Sequence, residues 1–193
     1  MNKKIQLGLM IAAFLAVIFT AIIALGLQKN IFGSSDKSES PNSVEPDYMS
    51  LLAHNENFEK AINFSMTDSI GNKISLNDFI SKGKPIVLNF WASWCPPCAS
   101  EMPHFNKVFL EMGEQVQFMM VNLGEPSHIG ANYVKEKNFS FPVFFDTYEE
   151  GAYEYQINAI PLSLFINRDG NIALKIPGSL NENTLRNGIE LIK

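Results

Sequence analysis

Cys95 and Cys98 are the only cysteines in the chain, and two prolines fill the space between them. A pair at this spacing can form half of a metal site, an inert cross-link, or a redox couple that cycles between dithiol and disulfide. A structural zinc needs four ligands. No second cysteine pair exists, and His54, His104 and His128 are scattered. A bridge that closes so short a loop constrains the unfolded chain weakly, so stabilisation is a poor reason to have one. Thiol–disulfide exchange is the chemistry these residues fit best.

The residues around the pair fit it further. Pro85-Ile86-Val87-Leu88-Asn89-Phe90-Trp91 is almost unbroken apolar, as expected of a central strand covered on both faces. Pro85 is acceptable at its first position. The strand runs through Ala92-Ser93-Trp94 into Cys95, and a helix is expected from about Pro96 to Met112. With Cys95 as N-cap, Pro96 and Pro97 take helical positions whose N–H groups have no partner within the helix. Cys98 then falls one turn along, facing inward and within bridging reach. Its N–H points back at the Cys95 sulfur, and the positive end of the helix dipole favours a thiolate there. Cysteines in such places titrate at roughly 3.5–7.5 instead of about 8.5. The expected cycle begins with Cys95 attacking a partner's disulfide. Cys98 then resolves the mixed disulfide.

The elements that must hold this motif can be read on either side of it. Phe64–Thr67 and Lys73–Leu76 flank Asp68-Ser69-Ile70-Gly71-Asn72, a hairpin pattern. Asn77 can cap a short helical turn through Ile80. Beyond the motif, Val116–Asn122 reads as a second buried strand, and Ser127 can cap a helix to about Lys137. A third strand is expected over Phe141–Phe145 and a short helix over Tyr148–Tyr155. Leu162–Asn167 and Ile172–Ile176 are strands joined by the turn Arg168-Asp169-Gly170-Asn171. Asn181 can cap a last helix that places Leu185, Ile189 and Ile192 on one face. Pro103 should bend the long helix. The sum is a three-layer α/β fold with a mixed central sheet flanked by helices.

Residues 1–57 carry a different message. Lys3 and Lys4 precede an uncharged stretch, Ile5–Leu27, whose 23 residues would span about 34 Å as a helix, enough for a hydrocarbon core of about 30 Å. A cleaved signal peptide is the rival reading, with Ala24-Leu25-Gly26 as its cleavage site, but signal peptides have shorter apolar regions. The length favours a retained transmembrane anchor. The lysines place residues 1–4 in the cytoplasm and the rest outside. Residues 28–57, rich in serine with Pro41 and Pro46, read as a flexible linker. The domain is expected over 58–193. A net charge of −5 argues against nucleic acid as a partner.

Asn89–Cys98 and the later run Ile160-Pro161-Leu162-Ser163-Leu164-Phe165-Ile166-Asn167-Arg168-Asp169-Gly170 together resemble the TlpA/ResA-like family of thioredoxin-fold proteins. The resemblance covers roughly Phe64–Lys193. It implies a thioredoxin-like fold with an N-terminal β-hairpin extension and an inserted helix and strand between Ser127 and Phe145, here preceded by one transmembrane helix. It also implies a membrane-anchored, extracytoplasmic thiol–disulfide oxidoreductase. Such a protein takes electrons from a membrane donor of CcdA or DsbD type and reduces disulfides in partners such as apocytochrome c. A methionine sulfoxide reductase is another candidate partner. No bound cofactor or metal is required, and a monomer is expected.

Two further residues complete the expected site. Pro161 is on sequence alone either a strand-initiating trans proline or a cis proline. The resemblance implies the cis form, facing the redox pair, with the Ile160 backbone left to pair with a bound strand. Leu162 departs from the Thr common at the next position. Glu101, three residues after Cys98, is on the same helix face. It is either a solvated first-turn residue or a half-buried carboxylate of raised pKa that takes the proton of Cys98, and the resemblance implies the second. Asn89 stands where thioredoxin has a buried Asp, cannot act as a base, and is expected to satisfy backbone groups. Trp91 and Trp94 read as packing residues, with Trp94 beside the sulfur, and His104 as a helix-surface residue. The resemblance favours a reductase. A disulfide-forming oxidase on the same fold, or a non-catalytic thiol- or metal-binding module, are the rival readings.

Overall fold

The computed structural model describes residues 59–193. The expected tail, anchor and linker all lie outside the described residues. Among the described residues no helix is long and apolar enough to cross a membrane. The strands form one sheet in the order β1 (Glu59–Lys60), β8 (Asn171–Pro177), β7 (Leu162–Ile166), β4 (Ile86–Trp91), β5 (Gln117–Leu123), β6 (Val143–Asp146), β2 (Ser65–Thr67) and β3 (Lys73–Ser75). β4 and β5 are parallel, as are β5 and β6; β4 with β7 and β7 with β8 are antiparallel, as are the edge pairs. Five helices, α1 (Leu76–Ile80), α2 (Pro96–Met112), α3 (Ser127–Glu136), α4 (Glu150–Glu154) and α5 (Glu182–Glu190), complete the described residues. This is the thioredoxin-like α/β architecture with a hairpin, β2–β3, added at one edge.

β4 shows why the sequence folds this way. All six of its residues are buried. Successive side chains in a strand point to opposite faces. Val87 and Trp91 enter a core shared with Met102 and Phe105 of α2, Val134 of α3 and Leu185 and Ile189 of α5. Ile86, Leu88 and Phe90 enter a second core with Phe64, Leu76 of α1 and Tyr155. In that second core the Phe64, Phe90 and Tyr155 rings stand 5.7–5.9 Å apart. Each fully buried side chain of this kind contributes roughly 1.5–3 kcal/mol. Asn89 falls by the same alternation on the α2 face, where a polar side chain needs partners.

Several local expectations change. The cap of α1 is Ser75, not Asn77. Its N–H and Oγ both donate to the Asp78 carboxylate, at 2.7 and 2.9 Å, and Asn77 N–H is taken instead by Asn63 Oδ1. Ser127 is the first helical residue of α3, with Pro126 as the cap and no side-chain cap bond. The short helix α4 begins later than Tyr148, because the Asp146 carboxylate accepts from the N–H groups of Glu150, Gly151 and Ala152 and fixes the first turn there. Pro103 lies inside α2, which continues through it to Met112. Strand β1 was not expected; Glu59 and Lys60 pair with Ile172 and Asn171 of β8.

Candidate active site

Three pairings of the sheet bring the site together. β4 ends at Trp91, and the chain goes on to Cys95. Antiparallel pairing sets Phe90 opposite Leu162, so Pro161, just before β7, arrives beside the end of β4. Parallel pairing sets Trp91 opposite Asn122, so Gly124 and Glu125 emerge next to Ser93. Leu123 is likewise opposite Asp146, so the turn into α4 emerges on the same side. Ligands collect at the carboxyl ends of parallel strands for this reason.

Cys95 is the N-cap of α2, in extended conformation, with Pro96 and Pro97 as the first helical residues. The pair is closed as a disulfide with Cα atoms 5.3 Å apart. The Cys98 N–H donates to Cys95 Sγ at 3.2 Å. Both cysteines are buried, Cys98 completely and Cys95 with an edge showing. The Ile160–Pro161 bond is cis. The Ile160 carbonyl oxygen lies 3.7 Å from Cys95 Sγ, a contact and not a hydrogen bond while the sulfur carries no proton.

Glu101 is fully buried one turn behind Cys98. Its Oε1 accepts from Asn89 Nδ2 at 2.9 Å, and its Oε2 accepts from the Leu180 N–H at 2.9 Å. Burial pushes its pKa up to about 7, against the opposing pull of these two hydrogen bonds. Asn89 also donates to Ser163 Oγ at 3.0 Å, across the β4–β7 pairing. Asn89 therefore serves side chains, not the backbone groups expected of it, while its Oδ1 has no partner among the described residues. Trp91 is buried in the core, whereas Trp94 is 69% exposed beside the sulfur.

Glu125 is a residue that motif reading passes over. It is buried, and its carboxylate accepts from Ser93 N–H at 2.7 Å, Ser93 Oγ at 2.6 Å and Asn122 Nδ2 at 2.6 Å. It thereby pins the loop two residues before Cys95. The parallel pairing of β4 with β5 was the available signal, since it puts the residue after Gly124 alongside Ser93.

From the Cys95 sulfur a groove of about 460 Å³ opens between Trp94 and the Ile157–Ile160 segment. The site thus holds an attackable sulfur at a groove, a second sulfur sealed under it, and a carboxylate of raised pKa behind both. That set suits dithiol–disulfide exchange without any added group.

Comparison with known proteins agrees. Residues 58–175 match the AhpC/TSA family. The chain is 36% identical over 136 residues to the thiol-disulfide oxidoreductase ResA of Halalkalibacterium halodurans, covering 70% of this chain and 76% of that one. It is 31% identical over 150 residues to ResA of Bacillus subtilis, covering 76% and 83%. The crystal structure of StoA from Bacillus subtilis superposes with a TM-score of 0.57 at 30% identity, covering 66% of this chain and 96% of that one.

Proposed function

We propose, from the premise that this chain belongs to the AhpC/TSA family and is a thiol-disulfide oxidoreductase of ResA type, that it works as a reductase outside the cytoplasm, tethered to the membrane by Ile5–Leu27. Its substrates are proteins that carry disulfides. Apocytochrome c is the leading one, a methionine sulfoxide reductase the next, and a membrane protein of CcdA or DsbD type returns the electrons.

In the reduced protein the Cys95 thiolate attacks one sulfur of the partner's disulfide. That bond breaks, a Cys95–partner disulfide forms, and the released partner sulfur takes a proton. Cys98 then gives its proton to Glu101 and attacks the Cys95 sulfur. The partner's second sulfur leaves and is protonated. Two electrons and two protons have passed to the partner, and the Cys95–Cys98 disulfide is closed. The Cys98 N–H and the start of α2 stabilise the thiolate of Cys95. Pro161 in its cis form holds the Ile160 backbone against the sulfur, where a substrate strand can lie.

One observation supports this reading most: the attacking sulfur edges onto a groove while the resolving sulfur and Glu101 are sealed beneath it. A Cys98→Ser protein expressed in cells should hold its partner as a mixed disulfide on Cys95, and mass spectrometry would name that partner. A reduction potential near about −270 mV supports the reductase. A value near about −120 mV would make the protein a disulfide-forming oxidase instead.

A further inference from the structure

The groove beside Cys95 has a single charged side chain in its wall, Glu149; Leu123, Ile157 and Ile160 are apolar and Asn158 is neutral. Nothing about the folding of α4 requires that carboxylate. Asp146 already satisfies the first turn, and Glu150 is engaged by the Ser65 N–H. Glu149 itself sits in the left-handed region at φ 59°, a conformation disfavoured for any residue with a Cβ. Gln156, at the other end of α4, does the same at φ 51°. Strained backbone of this kind gathers at functional sites.

The floor of the groove accommodates the carboxylate. Gly124 has φ +66°, and a Cβ there would stand only 2.6 Å from Glu149 Oε1. The bare backbone of Gly124 therefore lets the Glu149 carboxylate lie against the groove floor next to Leu123. Among the described residues no cation or hydrogen-bond donor pairs with that carboxylate. Past Glu149 a second depression of about 370 Å³ continues along Tyr153 and Gln156, so an extended segment can run beyond it.

We propose that this groove selects partner segments carrying a lysine or arginine next to the disulfide that Cys95 attacks, and that Glu149 is the residue that pairs with it. The proposal rests on the reductase reading above. The remaining wall supplies apolar contact for the neighbouring side chains, and the unpaired carboxylate supplies the charge preference. An ion pair at such a solvent-exposed place is worth up to a factor of about five in rate.

The test uses the full chain, reduced and freed of reductant, with two peptides of identical sequence and one internal disulfide. One peptide has lysine beside the attacked cysteine and the other has glutamate. Quenched-flow mass spectrometry reads the second-order rate of disulfide reduction. The wild type should reduce the lysine peptide about fivefold faster at low salt, with the gap shrinking as salt rises. Glu149→Gln should bring the two rates together, and Glu149→Lys should reverse their order. Glu154→Gln, which changes net charge equally but lies outside the groove lining, should keep the wild-type ratio. Equal rates in the wild type, a preference that survives Glu149→Gln, or one lost equally in Glu154→Gln would overturn the charge selection and leave the reductase standing. Reduction of neither peptide would overturn the reductase reading and the selection with it.

Discussion

Glu101 carries its charge where water does not reach. Its pKa of about 7 in the folded protein, against 4.5 in an exposed glutamate, means that the unfolded chain releases this proton first as pH rises. Between those values the unfolded state binds fewer protons, so stability falls with rising pH through that window and is fully retained below it, a swing of about 3 kcal/mol. Glu101→Gln removes the ionisation and should flatten that slope in urea melts between pH 4.5 and 7. The same variant should slow the resolving step by Cys98 and remove the titration near pH 7 from its rate profile; an unchanged profile would take Glu101 out of the mechanism. Asn89→Asp would set a second carboxylate 2.9 Å from Glu101, where both cannot ionise together. It should push the upper titration higher and weaken the fold at pH 8, readable in the same melts. The cysteines and Glu101 were legible because spacing along a helix start dictates where they go. Glu125 and Glu149 were not, since their positions depend on which strands become neighbours. At Glu125 the carboxylate holds Ser93 with two hydrogen bonds, and charged hydrogen bonds of this kind are worth roughly 1.5–3 kcal/mol each. Glu125→Gln keeps one acceptor oxygen and introduces an amide donor, so it should lower stability by about 2 kcal/mol and slow exchange at Cys95, seen in denaturation and in single-turnover rates.

Elements with a strong local signal are legible in the sequence. α2 runs over Pro96–Met112 as its prolines and apolar face require, and β4 and β7 follow apolar runs interrupted only by Asn89 and Ser163. The caps were less legible, because Ser75 and Asn77 are equally good by type. The choice fell to the Asp78 carboxylate that only Ser75 can reach at N3 spacing. The close seating of α5 on the sheet also lies beyond sequence periodicity. Gly188 faces the Phe165 ring, and a Cβ there would lie 2.3 Å from its Cε1 atom. Phe165 is fully buried and has no room to withdraw. Gly188→Ala should therefore destabilise by about 2 kcal/mol, the size of an overpacked core, without altering the exchange rate of the molecules that remain folded. Phe165→Leu in the same chain should restore part of the loss, and urea melts of the double-mutant cycle measure how much.

At the scale of the whole molecule, the described residues place every part of the site at one end of the sheet, where loops after β4, β5 and β6 and before β7 converge. The opposite end of the chain's logic lies in Ile5–Leu27 and the lysines before it. An exchange protein with a groove for extended segments would gain from the membrane anchorage proposed above, because confinement near the membrane would raise its encounter rate with a membrane donor and with partners that pass there. The proposed anchor predicts that the full chain sediments with membranes and resists alkaline carbonate. A chain beginning at Phe58 should stay in the supernatant with an unchanged rate on a small disulfide. The positive-inside bias predicts the side as well. After reduction of intact cells, a membrane-impermeant maleimide should label Cys95 if the domain has the proposed outward orientation. Labelling that appears only after the cells are broken would put the domain on the cytoplasmic side. Full-length chain that washes off with carbonate would make Ile5–Leu27 a peripheral segment, and a shortened chain found in the supernatant would make it a cleaved one.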